Sequence, residues 1–368
     1  MHATLLDQRV DRIAVFRALV LGDMLCATPV LRALRTAWPH AEITLVGLPW
    51  ASELALRLPQ VDRFEAFVGF PGLPERSPDL PALAGFIARL QWQRHDLLLQ
   101  LHGSGSIVNP LLACFGATRV AGFVDPGDFC AEPALHTAWP RTGHEIERLL
   151  HLTDHLGLPR QGRHLDFPVT PADHVALEKE VPELAHDNDP IVCVHPGAQL
   201  ASRRWLPERF AAVADLLAAR GLRVVLTGTA GERALTDAVR RQMHQPALDL
   251  AGRTDLWTLG ALIERARLLV CNDTGVQHVA AALGTASVAV SSGADVSRWA
   301  PLDAQRHRVL WSPAPCRPCA YPVCPTGHQC ARDVGIDDVA SAALDAAAHA
   351  RAGATAATAA NPSTATAA

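Results

Sequence analysis

Several things are missing from this chain, and each absence closes off a class of function. It begins MHATLLDQRVDRIAVF, without a basic segment leading into a long apolar run, so we expect a protein that stays in the cytosol. No stretch has the length and apolarity needed to span a bilayer. Neither GxGxxG nor GxxxxGK followed by Ser or Thr occurs. HGSGS at 102–106 and TGTAGE at 227–232 are only loops with spaced glycines, so dehydrogenase and P-loop readings have little support. The formal net charge of -4 predicts no general affinity for nucleic acid. Lysine is nearly absent, Lys179 being the only one, so almost every cation is arginine. That bias reflects an Ala- and Arg-rich composition, and no function is read from it. Cysteine is not scarce, but Cys26, Cys114, Cys130, Cys193 and Cys271 are scattered through α/β segments with no export signal, which predicts reduced thiols.

What is present is an ordinary globular composition, 49% hydrophobic and 19% charged, over 368 residues, enough for two domains of common size. The first half alternates apolar runs with helical periods: RIAVF, a helix over about Met24 to Ala37, ITLVG, SELALRL, RFEAF, ALAGFIARLQW, DLLLQL, IVNPLLACFG and TRVAGF. From IVCVHPG onward the second half does the same, through PERFAAVADLLAARG, RVVLTG, GERALTDAVRRQM, LGALIERA, RLLVCN, VQHVAAALG and SVAVSS. This alternation predicts an α/β protein with two doubly wound parallel sheets. We place the first domain at 1–180 and the second at 191–349. The joint falls in the polar, proline-bearing stretch 181–190, where Asp187 and Asp189 read as a solvated turn rather than a metal-binding DxD pair. Residues 350–368 are low in complexity and are expected to be disordered.

Polar loops follow four of the strands. LGD at 21–23 puts Gly22 at a sharp turn and Asp23 at the start of a helix, where it would serve as a general base or as an N-cap. Pro29 would kink that helix or mark a later start. HPGAQLASRRW at 195–205 brings Arg203 and Arg204 just before a helix beginning near Pro207, and two cations beside free amides suit a diphosphate. TGTAGE contains Glu232. In CNDTGVQH at 271–278 a strand over Arg267 to Cys271 opens into the N-cap types Asp273 and Thr274. A short helix, Val276 to Leu283, follows and is closed by Gly284. This is the strand-to-helix position where open α/β sheets bind anions.

The blocks FRALVLGDMLCATPVLRALRTAWPHAEITLVG, HPGAQLASRRWLPERFAAVADLL, LTGTAGERAL, DLAGRTDLWTLGALIERARLLVCNDTGVQHVAAALG and CRPCAYPVCPTGHQCARDV resemble the ADP-heptose:lipopolysaccharide heptosyltransferases, glycosyltransferase family 9. They stand in the family's order from about Arg12 to Ala347. The resemblance implies a GT-B architecture, two Rossmann-like domains facing a central cleft, with the acceptor on the first and the nucleotide-sugar on the second. It also implies inversion at the anomeric carbon with no cofactor and no catalytic metal. Carried over by motif, Asp23 is the base for the acceptor hydroxyl. Arg203, Glu232, Asp273, Thr274, Gly275 and His278 hold the donor. The family's arginine in LHGSxRS has no counterpart in LHGSGS, which leaves the acceptor undefined.

The expected activity is transfer of heptose, or a related sugar, from a nucleotide diphosphate such as ADP-heptose to a lipopolysaccharide-type acceptor at the cytoplasmic face of the inner membrane. A sugar-nucleotide epimerase of the same fold and a non-catalytic nucleotide-sugar binding module remain as alternatives. Cys316, Cys319, Cys324 and Cys330, spaced C-x2-C-x4-C-x5-C, could wrap a structural zinc, but prolines within the loop and ordinary thiol chemistry explain the pattern as well.

Overall fold

Strands buried on both faces of a parallel sheet read as unbroken apolar runs, and this chain builds two sheets from such runs. A computed structural model describes residues 5–184 and 190–359. The first sheet contains β1 (Arg12–Phe16), β2 (Glu42–Gly47), β3 (Arg63–Ala66), β4 (Leu97–Gln100), β5 (Arg119–Val124) and β6 (His136–Ala138), in the order β3-β2-β1-β4-β5-β6. The second contains β7 (Ile191–His195), β8 (Arg223–Leu226), β9 (Ala247–Asp249), β10 (Leu268–Asn272), β11 (Ser287–Val290) and β12 (His307–Leu310), in the order β12-β11-β10-β7-β8-β9. Numbered within its own unit, each sheet reads 3-2-1-4-5-6, and all the pairings are parallel. This order reverses direction once, between β1 and β4 and between β7 and β10, and at such switch points the strand ends diverge into a crevice.

Each unit has its own core. In the first, Phe16, Phe67, Phe86 and Phe115 pack edge-on or tilted, with the Phe16 and Phe67 rings 5.1 Å apart. In the second, Trp205 and Phe210 meet edge-on at 5.1 Å beneath the helix Pro207–Ala218. The helix beginning at Ile336 packs across that helix and across β11.

The structure departs from the sequence reading at several places. The two units divide between Pro168 and Val169 rather than at 181–190, because the helix Pro171–Glu180 packs on the helix Leu256–Arg265 of the second unit, with His174 Nε2 2.8 Å from Glu264. Asp187 and Asp189 lie outside the described residues. The segment 350–359, expected to be disordered, continues the helix Ile336–Ala359, consistent with the high helix propensity of its alanines. Residues 360–368 lie outside the described residues. Pro29 ends the ambiguity at the amino terminus: Leu21–Cys26 and Thr28–Ala37 are two helices, with Pro29 in the first turn of the second. The strands β6, β9 and β12 were not anticipated. They are edge-region strands of three or four residues, partly exposed, and too short to show a period.

Candidate active site

In the first unit the chain leaves β1 at Phe16, and Val20, in extended conformation, precedes the helix Leu21–Cys26. Val20 occupies the N-cap position and offers no side-chain bond, so Asp23 lies inside the first turn and is not the cap. Its carboxylate therefore sits near the positive end of the helix. Behind it stands Arg17, fully buried. The Arg17 Nε–H donates to the Asp23 carbonyl at 2.7 Å and one Nη donates to the Leu101 carbonyl. The other Nη lies 3.5 Å from Asp23 Oδ1 and 3.2 Å from Glu145 Oε1. Glu145, also buried, is 3.4 Å from Arg148, whose guanidinium lies 4.3 Å from the Trp139 ring centre and donates to the Pro140 carbonyl. In this chain of alternating charges Asp23, with its side chain 18% exposed, is the member that reaches solvent. The loop after β4 presents His102, whose Nδ1 accepts from the Ala18 amide at 3.4 Å and whose Nε2 lies 3.3 Å from Glu75.

In the second unit the corresponding loops follow β7 and β10. Asn272, fully buried at the end of β10, joins them: its Oδ1 accepts from the Trp205 amide at 2.8 Å, and its Nδ2 donates to the carbonyls of Pro196 at 2.8 Å and Gly197 at 3.3 Å. The next residues form the anticipated helix start. Thr274 is the extended N-cap, the helix is Gly275–Leu283, and Gly284 closes it at φ 74°. Asp273 is partly buried and accepts from the Ser291 hydroxyl at 3.0 Å. Burial pushes its carboxyl above the ordinary 3.8, against the opposing pull of the Ser291 bond and of the Arg203 and Arg317 charges. Within the same helix His278 is buried, its ring edge-on to Trp299 at 6.3 Å, and Arg298 stacks on Trp299 at 4.5 Å.

Arg203 ends the short 3-10 turn Ala201–Arg203. One of its Nη groups donates to the Cys319 carbonyl, while its buried Nε–H has no hydrogen-bond partner among the described residues. A buried guanidinium N–H without an acceptor is costly, and an anionic ligand would supply one. Glu232 lies on the far side of the HPG turn and closes a capping box, its Oε2 accepting from the Thr229 amide at 2.8 Å and hydroxyl at 2.9 Å. Gly197 lets the turn approach Glu232 closely, since a Cβ there would stand 2.1 Å from Glu232 Oε1 and push that carboxylate aside. The buried His195 bonds the Thr227 hydroxyl at 3.1 Å. Burial holds its pKa down, and the Glu232 charge opposes that effect.

Of the residues singled out in the sequence, Arg203, Glu232, Asp273, Thr274, Gly275 and His278 all stand on the loops and helix starts at the carboxyl edge of the second sheet, and Asp23 on that of the first. Arg204 instead turns back onto its own loop, donating to the Ala198 carbonyl at 2.9 Å. The zinc alternative has no support: among the described residues no group of three or more His, Cys, Asp or Glu side chains is placed to hold a metal ion. Sequence reasoning missed Arg17, Asn272 and Arg317. For Asn272 the signal was available, since a strand of buried apolar residues does not end on an asparagine without a use for its amide.

The second sheet thus carries a helix start and a buried guanidinium N–H without a partner among the described residues, and the first sheet carries a carboxylate that reaches solvent. Comparison with known proteins identifies the family. The sequence model of glycosyltransferase family 9 (heptosyltransferase) matches residues 86–329. Lipopolysaccharide heptosyltransferase 3 of Escherichia coli K12 is 27% identical over 290 residues, covering 76% of this chain and 82% of that protein. Lipopolysaccharide heptosyltransferase 2 of Salmonella typhimurium is 27% identical over 288 residues, covering 73% and 79%. Among solved structures, the family 9 glycosyltransferase of Veillonella parvula superposes with a TM-score of 0.70 at 24% identity, covering 82% of this chain and 85% of that one. The E. coli ADP-heptose lipopolysaccharide heptosyltransferase II does so with a TM-score of 0.70 at 21% identity, covering 93% and 99%. The fold is of the GT-B class, two Rossmann-like domains, and the chain belongs to glycosyltransferase family 9, the heptosyltransferases.

Proposed function

We propose that this glycosyltransferase moves heptose from ADP-heptose to a sugar hydroxyl of a lipopolysaccharide core acceptor, with inversion. The observation that carries the donor half is the buried Arg203 Nε–H, which has no partner among the described residues and whose guanidinium is near enough for its charge to act on Asp273, just before the Gly275–Leu283 helix. In this reading the diphosphate accepts from Arg203 and from the free amides at Thr274 and Gly275. Asp273, Glu232 and His278 contact the sugar and the nucleoside. The acceptor hydroxyl attacks the anomeric carbon from the face opposite the phosphate, its proton passes to the Asp23 carboxylate, and the anomeric C–O bond breaks to release ADP with the bonding electrons. The growing charge on the leaving phosphate falls where the cation and amides already point, so it needs no proton.

The relatives named above support the heptose donor and the lipopolysaccharide acceptor. Such an acceptor is membrane-anchored, so the enzyme would work at the cytoplasmic face of the inner membrane. No helix among the described residues is long and apolar enough to cross a membrane. The test is to screen nucleotide-sugars by thermal shift and to incubate those that bind with and without a heptose-deficient core acceptor. Acceptor-dependent release of ADP is the expected result. Turnover of ADP-heptose without acceptor would instead indicate an epimerase, and binding without turnover would indicate a non-catalytic module.

A further inference from the structure

The segment 312–330 carries the four clustered cysteines, but its contacts converge on the donor loops. The Cys319 amide donates to the Gly293 carbonyl at 2.8 Å, the Ser202 amide donates to the Pro322 carbonyl at 3.3 Å, and His328 Nε2 lies 2.9 Å from the Ser202 carbonyl. Between the first two cysteines stands Arg317. One Nη donates to the carbonyls of Ser291 at 2.6 Å and Ser312 at 3.1 Å, and the other to the Ala294 carbonyl at 2.9 Å and the Ser291 hydroxyl oxygen at 3.2 Å. Its guanidinium also lies 5.1 Å from the Trp311 ring centre.

Ser291 can donate only one proton, and it donates that proton to Asp273 Oδ2 at 3.0 Å. Arg317 occupies the hydroxyl's acceptor side and so leaves its hydrogen aimed at Asp273. The same guanidinium spans Ser291 to Ala294, a stretch in which Gly293, at φ 91°, has no room for a Cβ beside Cys319 Sγ and lies next to the Arg203 side chain. Both Nη groups of Arg317 are already committed to protein acceptors.

We propose that Arg317 is a positioning residue for sugar transfer. It fixes the Ser291 hydroxyl and the 291–294 loop, and through them sets the orientation of Asp273 in the donor seat. This rests on the assignment of Asp273 to the donor site. It gives the arginine of the cysteine-rich segment a role that the thiols do not have.

The test is a double-mutant cycle on ADP-heptose binding, followed by calorimetry and by KM and kcat. Arg317→Gln removes the fork, and its affinity for ADP-heptose should fall about tenfold, the scale of one well-made charge-assisted hydrogen bond. KM should rise with kcat changing less. Ser291→Ala should lose several-fold, and the double variant no more than Arg317→Gln alone, because the two act in series. Arg317→Lys, which keeps the charge but cannot reach all four acceptors, should recover only part of the loss. If Arg317→Gln lowers the melting temperature while donor affinity and KM stay at wild type, or if the two substitutions simply add, the proposal fails. Asp273→Ala separates that failure from failure of the donor site. Unchanged affinity in Asp273→Ala removes the site itself, whereas weakened affinity there with wild-type affinity in Arg317→Gln removes only the role given to Arg317.

Discussion

Arg17 and Arg203 each lie beyond the first strand of a 3-2-1-4-5-6 sheet, one residue past β1 and eight past β7, yet the two guanidiniums are used differently. Arg17 is fully buried and spends its Nε and both Nη groups on the Asp23 and Leu101 carbonyls and on the carboxylates of Asp23 and Glu145. Arg203 makes a bond to the Cys319 carbonyl, and its buried Nε–H has no partner among the described residues. A duplicated topology thus places a cation beyond the first strand of each sheet, and satisfaction of their donors separates the two. The difference teaches that the first unit matches every donor nitrogen of its cation internally, whereas the second leaves one buried donor unmatched among the described residues.

The comparison breaks most visibly in stability. Arg17→Met should cost about 3 to 5 kcal/mol of folding free energy, because it removes the cation between two carboxylates in a buried array. Chemical denaturation measures this, and a loss below about 1 kcal/mol would mean that Arg17 is not the keystone of the first unit. Asp23→Asn should instead leave the melting temperature and donor affinity near wild type while turnover falls about a hundredfold or more, the scale of a lost general base. Val20 holds the cap position, so a near-normal rate in this variant would leave Asp23 without a catalytic role.

Arg203→Ala should show the opposite profile to Arg17→Met. Donor affinity should weaken by on the order of 2 kcal/mol with little change in stability, since the folded protein gives up one carbonyl contact. Asp273→Ala and His278→Ala should also lower transfer. Calorimetry with ADP-heptose provides the reading, and unchanged affinity in Arg203→Ala would make the two arginines alike after all.

How much of this could be read in the chain follows from the same physics. The strands β1, β4, β7 and β10 were legible because central parallel strands are continuously apolar, and the polar residues that interrupt them at LGD, HPG and NDTG mark the switch points directly. The edge strands β6, β9 and β12 carry no such run. Arg17 and Arg317 were illegible for a different reason. In a chain whose cations are nearly all arginine, nothing local distinguishes a guanidinium with every donor matched from one in solvent. Their roles come from partners up to 128 residues away for Arg17 and up to 26 for Arg317. The helix Pro171–Glu180 was assigned to the wrong unit because its composition is that of any surface helix, and its packing partner is distant in sequence.

One pair of groups should behave alike in both units, and it gives the smallest effect near neutrality. His95 in the first unit and His307 in the second are buried. Burial pushes both down to about 4, helped at His95 by the neighbouring Arg12 charge. His307 stays neutral against the Ser287 hydroxyl, which lies 2.9 Å from its Nδ1. Because the folded pKa lies below the unfolded value of 6.5, the unfolded chain takes up the proton first as the solution is acidified. The stability that each histidine contributes is therefore complete only well above pH 6.5 and is lost progressively as the pH falls through 6.5 towards 4. Between pH 7 and 6 each should cost about 0.7 kcal/mol, and the slope steepens below that. His95→Gln and His307→Gln should each flatten this acid limb by about the same amount, whatever their effect on stability at pH 8. If only one of them does so, the two units differ in their acid response as well as in their arginines, and the other histidine is already exchanging protons with solvent in the folded state.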